Sequence, residues 1–490
     1  MPLPARRRTI GGLVALVAAA SLIAPAPATA SEAVPLTEIG PEVSTTAPRP
    51  GPQGGADTYQ WGDVIVAAHQ TGRLPDGGAA GIAYAMSGDG GATWSRGTLP
   101  GLTTAAGGVH ARASDPSVAY DALHGVWLIT SIGLTQTSEV TGGVTGGVTG
   151  GVTGAAVLTS RSTDGVAWSP PVVTAVGGDL DKSWVVCDNG DGSPYQGQCY
   201  AVFDDHAVAN AIRVARSVDG GLSWTVAVTR AGGLGGQPAV RPDGTVVVPY
   251  LSNDGEIRSF RSRDGGASWS ESTLVSRVER HTPAGGLRAL PLPSAETDAA
   301  GTVYVAWHDC RFQHGCAGND IVLSTSATGE RWGDVLRVTD DGGDHVIPGL
   351  GVDRASKGGR ARLAVTYYRY ADAACVPATC RLTVGHTSSA NGGASWSAPL
   401  ELHGPMAVGW LPVTGQGRTV GDYISVSVVP GGNAFPVFAV AAPPAEGLPD
   451  VRTHTVTGGL PIVPGPAPLA SIEAAVAAGE PPPALPLTAR

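Results

Sequence analysis

Arginines, aspartates and tyrosines recur beside the apolar runs of this sequence. Arg112 and Asp115 stand just before SVAY, Asp181 and Lys182 before SWVV, and Arg418, Asp422 and Tyr423 before ISVSVV; Arg288 lies just upstream of PLPSAE. A second group follows such runs: Asp309 and Arg311 after VYVAWH, and Tyr367, Tyr368 and Arg369 after LAVT. A guanidinium grips a carboxylate through two parallel N–H donors, and carboxyl groups pass protons. Brought together, these side chains would bind an anion and move a proton. Each also has a plainer use. Asp115 before Pro116 and Asp422 before Tyr423 can cap strand starts. Asp309 and Arg311 can simply pair with each other, and adjacent Tyr367 and Tyr368 must point to opposite faces of a strand.

The elements that would position them are short strands. DPSVAYD, GVWLITSI, AAVLTSR and WSPPVV form one set of four, and DKSWVVCD, QCYAVFDD, AIRVARS and WTVAVT form the next. Strand-turn-strand spacing with no helical period reads as antiparallel all-β structure. Four strands per unit of about 45 to 75 residues are the blades of a β-propeller. The expected fold is a single propeller spanning residues 31–458, of seven blades with six as the alternative. The last set, GDYISVSVV, FPVFAV and VRTHTV, lacks an outer strand, which AVPLTEI near the N-terminus can supply.

One short stretch is rewritten six times. SGDGGATW (Ser87–Trp94), STDGVAW (Ser162–Trp168), SVDGGLSW (Ser217–Trp224), SRDGGASW (Ser262–Trp269), SATGERW (Ser326–Trp332) and SANGGASW (Ser389–Trp396) all fall between the third and fourth strands of a set. Glycine permits positive φ there, and Asp accepts backbone N–H groups while Ser bonds locally. The Trp is expected to bury its ring with its N–H paired. This assigns Asp89, Asp164, Asp219 and Asp264 to turns, not chemistry. Thr328 replaces the Asp in the fifth copy, so that turn should be looser.

Strands alternate in direction, so the repeated turns share one face with the links between first and second strands. First-strand starts and second-strand ends therefore meet around the axis on the other face. That ring holds the candidates above together with Glu42, Gln237 and His345, and with His69, Asp204, Asp205, Tyr250 and His308.

Arg6 to Arg8, the apolar run Ile10–Ile23 and Ala28-Thr29-Ala30 read as an export signal over residues 1–30. No later segment is long and apolar enough to span a bilayer. Export agrees with six cysteines in three close pairs, Cys187 with Cys199, Cys310 with Cys316 and Cys375 with Cys380, expected as local disulfides. Neither a CxxC pair nor an HxxxH spacing is present, so no metal or other cofactor is expected. A formal net charge of -10 argues against nucleic acid as a partner. The insertion VTGGVTGGVTGGVTG (Val140–Gly154) is expected to be a mobile loop, and the Pro/Ala-rich residues 459–490 a disordered tail.

The SxDxGxxW repeat resembles the Asp-box (BNR) repeat of the sialidase superfamily, and at six copies the resemblance runs from about Glu32 to Val456. It implies a propeller whose active site lies on the face opposite the boxes, and an exo-acting glycoside hydrolase of exo-α-sialidase type. It also implies a glycan as partner, with the chain expected to act as a monomer. Members of the family bind the substrate carboxylate with several arginines, a role open here to Arg112, Arg288, Arg311, Arg369 and Arg418, with Asp422 beside them. They use a Tyr nucleophile, for which Tyr367, Tyr368 and Tyr423 are candidates, with Asp115 or Asp309 as acid/base. Glu42 and Glu256 are the glutamates that topology offers as partners for these tyrosines. The family's Arg-Ile-Pro motif is absent, so the role of each residue stays open. The alternative is a non-catalytic propeller that binds glycan or protein on the same face.

Overall fold

The computed structural model describes residues 1, 33–41, 51–140 and 148–466, and the unit considered below begins at Val34. Residues 2–30 of the export signal, Glu42, residues 141–147 of the insertion and residues 467–490 of the tail lie outside the described residues.

The chain is an all-β propeller of four-stranded antiparallel blades. The first blade holds Gly54–Trp61, Val64–Arg73, Ala79–Ser87 and Ser95–Thr98. The second holds Arg112–Asp121, Val126–Val140, Val148–Ser162 and Val172–Val176. Leu180–Cys187, Cys199–Asp205, Ala211–Ser217 and Thr225–Leu234 follow. Next come Ala239–Val240 with Val246–Ser252, Glu256–Ser262 and Thr273–Arg277, then Ser294–Thr297 with Val303–Asp309, Asp320–Ser326 and Leu336–Arg337. Asp344–Val352, Leu363–Tyr370, Arg381–Ser389 and Leu400–Ala407 make another set. The last joins Ser425–Val428, Ala434–Ala445 and Leu448–Val456 to the N-terminal strand Leu36–Glu38, with Leu36 opposite Val456. Closure by the N-terminal strand, expected from AVPLTEI, covers the edge of Leu448–Val456 and leaves a three-residue strand outermost.

The core lies between blades. Tyr59 and Val66 of the first blade pack with Trp127, Ile129 and Trp168 of the second, and Trp307 is buried between the fourth and fifth blades. All three cysteine pairs are local disulfides: Cys187–Cys199, Cys310–Cys316 and Cys375–Cys380. Such bonds persist in an oxidising compartment. No helix among the described residues is long and apolar enough to cross a membrane.

The repeated turns are scaffold. Asp89 accepts the backbone N–H of Ala92 and Thr93 at 3.1 and 2.9 Å, while the Ser87 hydroxyl donates to it at 2.7 Å. The Thr93 hydroxyl and backbone N–H are the chief donors that hold Asp89 down to about 2. Asn391 repeats the pattern, accepting from Ser389 and from the N–H of Ser395. Thr328 offers only its hydroxyl, to the N–H of Glu330 at 3.3 Å. The expectation for the indoles holds in part. Trp168 donates to the Gly165 carbonyl and Trp332 to the Ser259 hydroxyl. Nε1 of Trp94, Trp224, Trp269 and Trp396 reaches no acceptor among the described residues, because ring packing, not the N–H, sets their position.

Two expectations change. Val148–Gly154 of the insertion is no loop: it pairs in register with Leu134–Val140, from Gly154 opposite Leu134 to Val148 opposite Val140. Val and Thr favour extended backbone, and the strands on either side were already paired, so the ladder simply lengthens. Past Gly458 the chain still packs: Leu460 and Ile462 are buried, and the N–H of Val463 bonds the Ser388 hydroxyl.

Asp57 ties the first two blades together near the axis. Its carboxylate accepts from the Ser117 hydroxyl and the N–H of Val118, both at 2.8 Å. Burial raises it to about 6, against these donors. A carboxyl raised above its unfolded value holds its proton better when folded. Its contribution is complete below about pH 4 and is lost as pH rises through about 6. The stability of Asp57→Asn relative to the native chain should therefore improve by about 3 kcal/mol between acid and neutral pH. Urea unfolding across that range checks this; parallel pH profiles would contradict it.

Candidate functional site

Four of the inner strands share one irregularity. Pairing with the second strand slips between Gly54 and Asp57, between Ser114 and Ser117, between Asp181 and Trp184, and between Val346 and Gly349. Each slip is a β-bulge, and each contains a left-handed residue: Gly55, Asp115, Lys182 and Ile347, with φ of 60°, 47°, 54° and 54°. Glycine takes that conformation freely, whereas Asp, Lys and above all β-branched Ile do not. Such backbone persists where surrounding contacts over-determine it, and bulges re-aim side chains beside functional sites. Here the bulges turn Asp115 and Lys182 toward the axis.

Lys182 is the hub. Its Nζ lies 2.6 Å from Asp422, 3.5 Å from Asp181 and 3.8 Å from Asp115, and Asp422 also takes Nη2 of Arg288 at 2.6 Å. Tyr423 donates its phenol to Asp115 at 3.4 Å, and the backbone N–H of Lys182 donates to the same carboxylate at 3.2 Å. The Tyr423 ring meets Trp184 edge-on, 5.1 Å between centroids. Electrostatics separate the two acids. Burial raises Asp115 to about 7, with Asp181 and Asp422 adding and Lys182 opposing. Burial would raise Asp422 as well, but Lys182 and Arg288 hold it down to about 2. Lys182 stays charged because its carboxylates outweigh its burial. Burial, then Asp115, pushes Tyr423 well above the usual range of a phenol.

Asp115, Lys182, Arg288 and Asp422 line a cleft of about 530 Å³ with Gln70, Arg73, Asp181 and His206, while Tyr423 and Trp184 line a small cavity next to it, which Lys182 and Asp422 share. Arg73, at the end of a second strand, completes the cation set. Burial lowers it, while Asp422 and Asp115 oppose that shift. Nη1 of Arg73 and Nε of Arg288 are buried and reach no acceptor among the described residues. Arg73, His206 and Trp184 were missed in the sequence. The signal for Arg73 was its place at a second-strand end, four residues past His69, and for His206 its place just after Asp205.

Of the candidate residues, Asp115, Asp422, Tyr423 and Arg288 come together. The others are placed elsewhere or bound locally. Arg112 forms a two-pronged pair with Asp76 at 2.6 and 2.9 Å on the cleft wall. Arg311 binds Asp309 through Nε and Nη2, and Asp309 also takes the indole N–H of Trp307. Arg369 is held by Asp341 and the Gly342 carbonyl, and Arg418 by the Gly409 and Leu411 carbonyls. Tyr367 is buried against His345. Tyr368 donates to the Ala439 carbonyl and accepts its N–H, fastening two blades. Glu256 pairs with Arg258.

No family model matches this sequence, and no curated protein matches it. The chain is similar to the BP39L lectin of Burkholderia pseudomallei, with a TM-score of 0.50 and 12% identity over 83% of this chain and 96% of that one. It is similar to the NanB sialidase of Streptococcus pneumoniae, with a TM-score of 0.44 and 12% identity over 68% of this chain and 67% of that one. A protein of unknown function from Dyadobacter fermentans aligns with a TM-score of 0.47 and 15% identity over 73% of this chain and 98% of that one. At such identities the likeness is one of fold alone.

Proposed function

We propose that the chain is a secreted glycan-active propeller of seven blades, an exo-acting glycoside hydrolase of sialidase type that works in the axial cleft on a sugar carrying a carboxylate. The observation that carries this reading is that Arg73 and Arg288 line the cleft and each keeps one buried donor, Nη1 and Nε respectively, without an acceptor among the described residues. Buried donors are almost always satisfied, and a carboxylate supplies acceptors that match a guanidinium fork. In this reading Tyr423 is the nucleophile, and Asp115, which accepts from its phenol at 3.4 Å, takes its proton. Lys182 and Asp422 fix the charge around this pair.

The test is a panel of fluorogenic glycosides, neutral and anionic, with the mature protein and Arg73→Gln. Turnover of an anionic sugar is expected, with KM raised roughly tenfold to a hundredfold in the variant, from one lost charged hydrogen bond. Equal turnover of neutral sugars, or an unchanged KM in Arg73→Gln, would contradict the carboxylate reading.

A second reading is glycan binding without turnover. The opposite end of the axis has a cavity of about 270 Å³ lined by Tyr59, Trp61, Asn189 and Arg354. Trp61 is 37% exposed there, and exposed aromatic faces suit sugar stacking. A chain that binds glycans on an array, loses them in Trp61→Ala and turns none over supports this second reading.

A further inference from the structure

At the rim of the same cleft, outside the Tyr423–Asp115 pair, three ligating side chains meet. Asp204 lies near the end of the strand Cys199–Asp205, and His206 opens the 3-10 turn that follows it. Asp181 sits directly opposite Asp204 in the neighbouring inner strand. One ligand atom from each lies within 4.8 Å of the others. Nε2 of His206 is 3.2 Å from Oδ2 of Asp204 and 3.5 Å from Oδ2 of Asp181.

Asp204 is the telling member. It is 1% exposed, and its Oδ2 accepts no hydrogen bond from any described residue. Nε2 of His206 is its ion-pair partner at 3.2 Å but lacks the alignment of a hydrogen bond. A fully buried carboxylate oxygen in that condition calls for a cation it can face. The spacing fits one. Ligands at 2.0–2.2 Å around a tetrahedral ion sit about 3.3–3.6 Å apart, close to the two separations found. Two carboxylates and one imidazole form a donor set for Zn²⁺, three protein ligands with a fourth position open.

The surroundings hold the ligands still. Asp205 accepts the N–H of Ala207 at 3.1 Å and of Asp179 at 2.9 Å, and it pairs with Arg213, which pins the His206 turn. Oδ2 of Asp179 stands 3.9 Å from Nδ1 of His206, the side from which a carboxylate orients a metal-bound imidazole. Lys182 is nearer to Asp422 than to Asp181, whose Oδ2 stands 3.5 Å from both Lys182 Nζ and His206 Nε2.

We propose that Asp181, Asp204 and His206 form a zinc site whose open position faces the cleft. Its test needs no sugar, so its failure is distinct from failure of the glycosidase reading.

The full secreted chain is stripped with EDTA, dialysed and titrated with ZnCl₂ by calorimetry. One ion per chain is expected, and the cysteines cannot compete because all are disulfide-bonded. His206→Gln changes a side chain that is 37% exposed, so metal-free melting should be unchanged while affinity falls about 100-fold or more. Asp204→Asn should lower affinity by as much and serves as the second variant. Co²⁺ should give the visible absorption of a four-coordinate site in the native chain and not in His206→Gln. Absence of one-per-chain binding in the native protein overturns the proposal, as does native affinity in both variants.

Discussion

Asp115→Asn is expected to lower kcat by about 10²–10⁴ on whichever glycoside the native chain hydrolyses, with KM and melting temperature nearly unchanged. Position 115 is left-handed, at φ 47°, and Asn is the substitute that tolerates this conformation best. Its amide oxygen can still accept from Tyr423 or from the N–H of Lys182, which Asp115 holds at 3.4 and 3.2 Å. Lys182 keeps Asp422 and Asp181 as counter-charges. What the amide cannot do is take the proton from Tyr423. Asp115→Ala is a poorer probe, because it adds backbone strain to the loss of the carboxyl. Steady-state kinetics beside a thermal melt separate the cases. If kcat stays within a few-fold of the native value, Asp115 is only a strand-start cap and the proposed proton transfer fails.

Trp269→Ala should cost about 3 kcal/mol of stability, near the low end for truncating an aromatic side chain, because the ring is only half-buried. It packs edge-on against Phe260, 5.4 Å between centroids, at the margin of a cluster that includes Tyr200 and Tyr250. Its indole N–H has no acceptor among the described residues, so the loss is one of packing alone. Activity per folded molecule should not change, since Trp269 belongs to the turn on the face away from the cleft. Denaturant unfolding monitored with activity at low denaturant tests both halves. Unchanged stability with lost turnover would make the repeated turns functional.

Local chemistry made much of this protein legible in one dimension. The strands follow from alternation, the repeated turns from Ser, Asp and Gly acting within five residues of one another, and the disulfides from short separations. Ring closure follows from a final set of three strands and one unassigned strand near the N-terminus. Even the face bearing the cleft is dictated by strand direction, and that logic put Asp115, Asp181, Lys182, Arg288 and Asp422 on the candidate ring.

Which members of the ring act together was decided only by tertiary structure. Lys182 and Asp422 lie 240 residues apart, and Tyr423 and Asp115 308 apart. No periodicity encodes those meetings. Three left-handed non-glycine bulge residues could not be foreseen either, because local preference disfavours them and only the packed inner strands hold them. Arg311, Arg369 and Arg418 show the converse. They stand at the right ring positions, but each found a nearby carboxylate or carbonyl, and a guanidinium bonds the acceptors that the final fold brings within reach. Sequence position set the ring, while the competition among neighbouring acceptors, settled only when the blades close, left Arg73 and Arg288 each with a buried donor that has no acceptor among the described residues.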